Sequence, residues 1–195
     1  PEQVTLFPLL NGTHWMHDLL GAKGLNVYEP VGQVIKAASV DFFGLDSQNL
    51  HIFSLLVHTF NAALLSHWLR MTASTSTVVS NMVAMLFWVH PLNVEVVGWL
   101  SAQNYLFAMS FSLLFMMYIE SNWSLQNPAV SVALFLLAAF SKASAITVVP
   151  LAVMRLIQLH ISPDYGKSIE NGRKKSFANL VVGIMPLVIA NLGTV

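Results

Sequence analysis

Two long apolar stretches, residues 74–89 and 104–119, flank a short polar segment, and this alternation constrains the fold more than any other feature of the chain. The segment, residues 90–95, reads His-Pro-Leu-Asn-Val-Glu and is followed by Trp99. A helix crosses the hydrocarbon of a bilayer with roughly 20 mostly apolar residues, and a proline ends a helix because it lacks a backbone donor. We therefore expect two membrane-spanning helices joined by a polar turn at one face of a bilayer.

The composition agrees with a surface that faces lipid. Of the 195 residues, 55% are hydrophobic and 9% are charged, whereas about 25% of residues are charged in soluble domains. A formal net charge of zero excludes the basic footprint of a nucleic-acid-binding protein. The absence of cysteine excludes disulfides, thiolate metal sites and cysteine nucleophiles. Because the sequence begins at Pro1 and ends just after an apolar run, we expect a processed product or a fragment of a longer protein.

The hydropathy pattern predicts an all-α, multi-pass membrane protein in two parts. Residues 1–46 are expected to be an extramembrane or interfacial region, in which an amphipathic helix starts at Pro30 and stops before Gly44. Residues 47–195 are expected to form a transmembrane bundle with one hydrophilic loop at 162–175. Six spans are predicted, at about 48–70, 74–90, 103–120, 128–142, 144–160 and 176–193.

The basic residues predict an orientation for this bundle. Alternating spans place most of them on one face, namely Arg70, Arg155, Lys167, Arg173, Lys174 and Lys175. Only Lys23, Lys36 and Lys142 fall on the other face. Since Lys and Arg near span ends favour the cytoplasmic side, we expect the N-terminal region and the 90–95 segment to face a lumen.

Three polar residues of the first span share one stripe of its helix. His51, His58 and Asn61 stand at i, i+7 and i+10, offsets that place them on the same side. One interpretation is that they form hydrogen bonds to neighbouring helices and hold the bundle together. The other is that His51 or His58 supplies a nitrogen ligand to a haem iron or a pigment magnesium, because imidazole is the usual ligand. No metal-ligand motif with a defined spacing supports a metal site.

Three further residues are candidates for catalysis. His90 and Glu95 could act as an acid–base pair or orient a polar headgroup, or Glu95 could cap the helix ends exposed by Pro91. Lys142, next to Ser141 at the end of the fourth span and near a membrane face, is either an anchor whose amine reaches the interface or a cation that binds an anionic phosphate. The sequence alone leaves these alternatives open.

Three segments, taken in order along the chain, carry a set of motifs. The first contains Tyr28-Glu29-Pro30, Phe42-Phe43-Gly44-Leu45, His51 and His58-Thr59-Phe60-Asn61-Ala62. The second is His90-Pro91-x-x-x-Glu95-x-x-x-Trp99, and the third is Ser141-Lys142 with Ile146-Thr147. Together they resemble the membrane domain of the TMTC family, transmembrane proteins with tetratricopeptide repeats, and of its bacterial relatives. The first segment is similar to the family's aromatic-x-Pro, Phe-Gly-Leu and His-x-x-Asn-Ala motifs, the second to its luminal His-Pro loop, and the third to its Lys-centred turn between two spans.

The resemblance implies a GT-C fold, that of membrane glycosyltransferases that move mannose from a dolichyl-phosphate donor to protein hydroxyls. It implies a luminal acidic base and a cation, here Lys142, against the donor phosphate. The sequence departs from the family where this chemistry would occur. Gln103 and Tyr105 replace the family's Arg-x-Asp, Ala143 replaces a common Glu, and Glu29 stands where Arg or His is usual. The family's acidic pair and its repeats are not apparent in this sequence.

Three hypotheses follow from these features. The first is a non-catalytic accessory or structural subunit with a GT-C-like scaffold, whose partners are lipids and other integral proteins of a larger membrane complex. The second is the membrane portion of a protein O-mannosyltransferase that uses a dolichyl-phosphate sugar. The third is a pigment- or haem-contacting subunit of an energy-converting membrane. The resemblance implies the endoplasmic reticulum as location, and a thylakoid or mitochondrial inner membrane is the alternative.

Overall fold

The computed structural model describes residues 29–44, 46–73, 76–121 and 127–161, and every regular element in these ranges is helical. The elements in chain order are α1 (Pro30–Phe43), α2 (Ser47–Ala73), α3 (Thr77–Val89), α4 (Asn93–Gly98), a 3₁₀ turn (Leu100–Ala102), α5 (Gln103–Glu120), α6 (Pro128–Ser141), a second 3₁₀ helix (Ala143–Thr147) and α7 (Val148–Ile161). The predicted all-α class is therefore confirmed for this part of the chain.

The helix boundaries follow from local chemistry. Pro30 and Pro128 open α1 and α6, where the missing backbone donor is tolerated. Gly44 closes α1 with a φ of 74°, a left-handed conformation that favours glycine. Ser76 caps α3, because its hydroxyl accepts the Val79 backbone N–H at 3.3 Å.

The helices coincide with five of the six apolar windows predicted as spans. Two of them, over Ser47–Thr72 and Leu100–Glu120, are long and apolar enough to cross a membrane. The other apolar helices, over Thr77–Val89, Pro128–Ser141 and Ala143–Gln158, are shorter. The window at 176–193, the loop at 162–175 and most of the N-terminal region lie outside the described residues.

Helix α5 lies at the centre of the bundle. It packs along α2 on one side and along α6 on the other, and α1 and α7 also touch it. The main apolar core forms between α5, α6 and α7, where Phe115 and Phe135 have ring centroids 6.0 Å apart and Met116 and Ala152 are buried beside them. The predicted interfacial helix, α1, packs against α2, α5 and α6 and buries Gly32 and Ser39.

Many of the buried residues are small, and many large apolar side chains are exposed. The buried polar residues are mostly small, including Ser54, Ser80, Ser131 and Ser141, and eight of the seventeen buried hydrophobic residues are alanines. Large apolar side chains lie outside instead. On α3 and just after it these are Val78, Val79, Met82, Val83, Met85, Leu86, Trp88, Val89 and Leu92. Small buried residues and large exposed ones are the pattern of helices that pack together in lipid.

Candidate functional site

A buried carboxylate joins three helices at one end of the bundle. Glu29, which is 7% exposed, lies with its Oε1 2.6 Å from the Lys142 Nζ. Its Oε2 accepts a hydrogen bond from Asn104 Nδ2 at 2.5 Å. The contact between the lysine and Oε1 is an ion pair, and this oxygen accepts no hydrogen bond. Positions far apart in sequence thus meet in one polar contact.

Each member of this contact lies where a helix begins or breaks. Glu29 immediately precedes α1, Asn104 is in the first turn of α5, and Lys142 is the extended residue between α6 and the second 3₁₀ helix. Gly32 allows the close approach of α1 to α5, because a Cβ built on it would lie 2.6 Å from the Cγ and Oδ1 of Asn104. The same close approach packs the buried Oδ1 of Asn104 against α1, where this oxygen has no hydrogen-bond partner.

A second lysine and a tyrosine complete the group, which we call the Glu29 cluster: Glu29, Lys36, Asn104, Tyr105 and Lys142. Lys36 Nζ donates a 2.9 Å hydrogen bond to the carbonyl of Ser101. Burial lowers the pKa of Lys36 below its ordinary value of 10.5; the charge of Lys142 acts in the same direction, and Glu29 opposes both. Lys142 Nζ also lies 4.8 Å from the centroid of the Tyr105 ring, a cation–π contact.

A separate set of polar residues lies at the other end of α5, and we call it the Glu120 cluster: Trp68, Thr72, Glu120 and Arg155. The Glu120 side chain is 5% exposed and its Oε1 accepts bonds from Trp68 Nε1 at 3.1 Å, Thr72 Oγ1 at 2.7 Å and Arg155 Nε at 3.1 Å. Arg155 Nη2 reaches Glu120 Oε2 at 3.3 Å and the Thr72 carbonyl at 2.8 Å. This two-point guanidinium–carboxylate contact joins α2, α5 and α7.

The structure places His90 and Glu95 on the surface. His90 Nδ1 accepts the backbone N–H of Leu92 at 3.3 Å, while Glu95 is exposed in the first turn of α4. The Phe87 carbonyl near the end of α3 accepts the His90 backbone N–H at 3.3 Å and Asn93 Nδ2 at 2.6 Å. Within the described residues no hydrogen bond or ion pair links His90 to Glu95, or either of them to Lys142. The three catalytic candidates therefore share an end of the bundle but do not form one contact network.

The histidine stripe of α2 faces its neighbours. His58 is 2% exposed, its Nε2 lies 3.1 Å from the Trp88 carbonyl, and its ring centroid lies 5.1 Å from that of Phe87, with the two rings tilted. His51, one of the two proposed cofactor ligands, is half-buried. Asn61, fully buried, donates to the Leu106 carbonyl at 2.9 Å and accepts from Ser110 at 2.6 Å. In the described ranges no three His, Asp or Glu side chains group as a metal site. His58 and Asn61 thus make the interhelical contacts of the first interpretation.

Sequence reasoning did not identify Glu29, Asn104 or Glu120 as site residues. A signal was present in the composition, because a chain with so few charges in an apolar setting must pair any carboxylate that it buries. Comparison of the sequence and the structure with protein-family models, curated proteins and solved structures gave no match. The site must therefore be interpreted from its own geometry.

Proposed function

We propose that the chain is a multi-pass membrane protein with a GT-C-like scaffold that does not catalyse sugar transfer and that packs as an accessory or structural subunit in a larger membrane assembly. The observation that carries the proposal is the pairing of Lys142 with Glu29. The lysine that would meet a donor phosphate already has an internal carboxylate as its counter-ion.

A membrane setting is supported by the two ionic clusters at opposite ends of α5. Asn104 and Glu120 are sixteen residues apart, which is about 24 Å along a helix at 1.5 Å per residue. Between these ends, α5 contributes apolar and small residues to the core, and the neighbouring helices expose large apolar side chains. Ionic groups at both ends of an apolar band are typical of a bundle that crosses lipid.

The loss of transfer activity is supported by the way the Glu29 cluster uses its charges. A cation whose charge is already balanced by an internal carboxylate attracts a phosphate less strongly than an unpaired cation does. Here Glu29 is paired with Lys142, and Lys36 binds a backbone carbonyl. Gln103, which stands where the family has arginine, is buried and donates to Ser54 Oγ at 2.7 Å. These residues act between helices, and this use favours a structural role.

To test this proposal, native membranes are extracted in a mild detergent and the chain is purified by affinity. Proteins that co-purify with it are identified by mass spectrometry. A fixed set of integral proteins in stoichiometric amounts is the expected result, and it would name the membrane. Recovery of the chain as a monomer with no partner would contradict the accessory role. Release of the chain by alkaline carbonate would contradict the membrane location itself.

A second candidate, the O-mannosyltransferase, is favoured by one observation. His90 and Glu95 are exposed at the end of the bundle that carries Lys142, since the segment after α4 leads directly into α5. If a longer reading frame contains an acidic pair after an upstream span, a transfer assay with a dolichyl-phosphate-mannose donor separates the two functions. Lys142→Ala should abolish transfer by an enzyme, and a chain without transfer before the substitution excludes this candidate.

A further inference from the structure

Exposed polar residues limit the apolar perimeter of the bundle at both ends. On α3 the limits are Ser76 and His90, and the exposed residues between them are apolar except for Thr77 and for Asn81, which accepts a hydrogen bond from the Ser66 hydroxyl. On α2 the limits are Asn49 and His67, both exposed. Between them Ile52, Leu55, Leu56 and Phe60 are exposed, and the exposed Thr59 donates its hydroxyl to the Leu55 carbonyl. The perimeter is therefore a band whose height can be read from two helices.

The height of this band is small. At 1.5 Å per residue, Ser76 and His90 are about 21 Å apart along α3 and Asn49 and His67 are about 27 Å apart along α2. The ionic ends of α5 give about 24 Å by the same rise. Tilt of a helix only reduces the component across a membrane. The hydrocarbon of a typical bilayer is about 30 Å thick.

We infer that this band is covered by lipid with short acyl chains, so that the protein fits a membrane thinner than average. The inference rests on the proposed membrane function. A bilayer thicker than the band would draw exposed polar groups such as His67 and His90 into hydrocarbon, which is unfavourable. This mismatch is relieved when the bilayer thins locally or when the protein is sorted to a thinner membrane. A protein partner over the same faces would impose no such height.

The first experiment varies chain length alone. The purified full chain is reconstituted in phosphatidylcholine vesicles with monounsaturated chains from myristoleoyl through palmitoleoyl, oleoyl and eicosenoyl to erucoyl, and its thermal unfolding midpoint is measured in each. We expect the highest midpoint in myristoleoyl or palmitoleoyl vesicles and a steady fall towards erucoyl. A maximum at eicosenoyl or erucoyl chains, or a midpoint independent of chain length, would overturn the inference.

The second experiment measures the band directly and uses the absence of cysteine from the chain. Single cysteines at Ser76, Met82, Met85 and His90 carry an environment-sensitive fluorophore, and brominated lipids serve as quencher. Labels at Met82 and Met85 should be quenched, whereas labels at Ser76 and His90 should be accessible to aqueous iodide. Met82→Ala is the matched unlabelled variant for folding, because it changes the same exposed face without a label.

The outcomes separate this inference from the proposed function. Labels at Met82 and Met85 that neither lipid nor iodide quenches would mean that protein covers the face, and this overturns the inference alone. Lipid quenching at Ser76 and His90 as well would mean a taller band and would also overturn it. Failure of the chain to insert into any vesicle would instead refute the membrane function on which the inference rests.

Discussion

The ion pair between Glu29 and Lys142 gives the sharpest test of how the bundle is held together. Lys142→Met removes the charge and keeps most of the aliphatic stem, so that Glu29 stays 7% exposed without its counter-ion. Breaking a buried pair from one side costs about 3–5 kcal/mol. The lysine side chain is 23% exposed, and Lys36 still interacts electrostatically with the carboxylate, so we expect a loss of about 2–3 kcal/mol here.

The double variant isolates the pair itself. Glu29→Gln alone should cost about 1–2 kcal/mol, because Lys142 can turn to water while the new amide still faces Asn104. With both charges removed, the loss should be about 1 kcal/mol. The sum of the single losses therefore exceeds the double loss, and the cycle should give a coupling energy of about 2–4 kcal/mol.

The assay is thermal unfolding in one detergent at one scan rate, followed by tryptophan fluorescence and helical circular dichroism. For a chain of this size each kcal/mol moves the midpoint by about 2–4 °C, so Lys142→Met should lower it by about 4–12 °C. Glu95→Gln is the control, because that exposed carboxylate should matter by less than about 0.5 kcal/mol. Additive single effects, or a Lys142→Met chain as stable as the control, would refute the structural role and return the lysine to ligand binding.

Three further predictions concern the rest of the bundle. Gly32→Ala should destabilise the bundle by about 1–3 kcal/mol, because the new methyl group would overlap the side-chain amide of Asn104. Gly98→Ala is the matched control and should leave the unfolding midpoint unchanged, because the space around Gly98 is open. The pKa of Lys36 is lowered in the folded chain, so between that pKa and the ordinary value of 10.5 the unfolded state binds more protons than the folded state. The free energy of unfolding should therefore rise with pH over this window. A Lys36→Met chain that shows the same rise would contradict this prediction. Arg155→Lys should cost about 1–3 kcal/mol through loss of the two-point contact, while Arg70→Lys on the exposed end of α2 should change the unfolding midpoint by less than the error.

Much of the helical layout could be predicted from hydropathy and breakers, and one departure has a clear physical reason. The window at 144–160 was expected to be one helix but consists of a 3₁₀ helix over Ala143–Thr147 and α7 from Val148. Pro150 has no N–H for the carbonyl of Ile146, so a continuous α-helix would lose a hydrogen bond there. The tighter 3₁₀ turn accommodates that gap and leaves Lys142 extended at the junction.

The candidate site could not be predicted in the same way, because its partners depend on tertiary packing. Periodicity places Lys142 at a break between helices, but nothing local indicates that α1 crosses this end of α5 and brings Glu29 to it. Gly32 makes that crossing possible, and a glycine inside an apolar helix is an ambiguous signal in a sequence. The resemblance even marked Glu29 as a departure from a family pattern, and the structure shows what the carboxylate does instead.

The two clusters together fix α5 along its own axis. At its first turn Asn104 binds the carboxylate that precedes α1, and at its last residue Glu120 binds Arg155 of α7 and two side chains of α2. Helices that slide past one another in switching proteins move by as much as one turn, about 5.4 Å, and a shift of that size would break both clusters together. Each end also contains a charge that would then be buried without a partner, which raises the barrier further. An α5 held from both ends suits a scaffold with one arrangement of helices better than a carrier that must alternate between two.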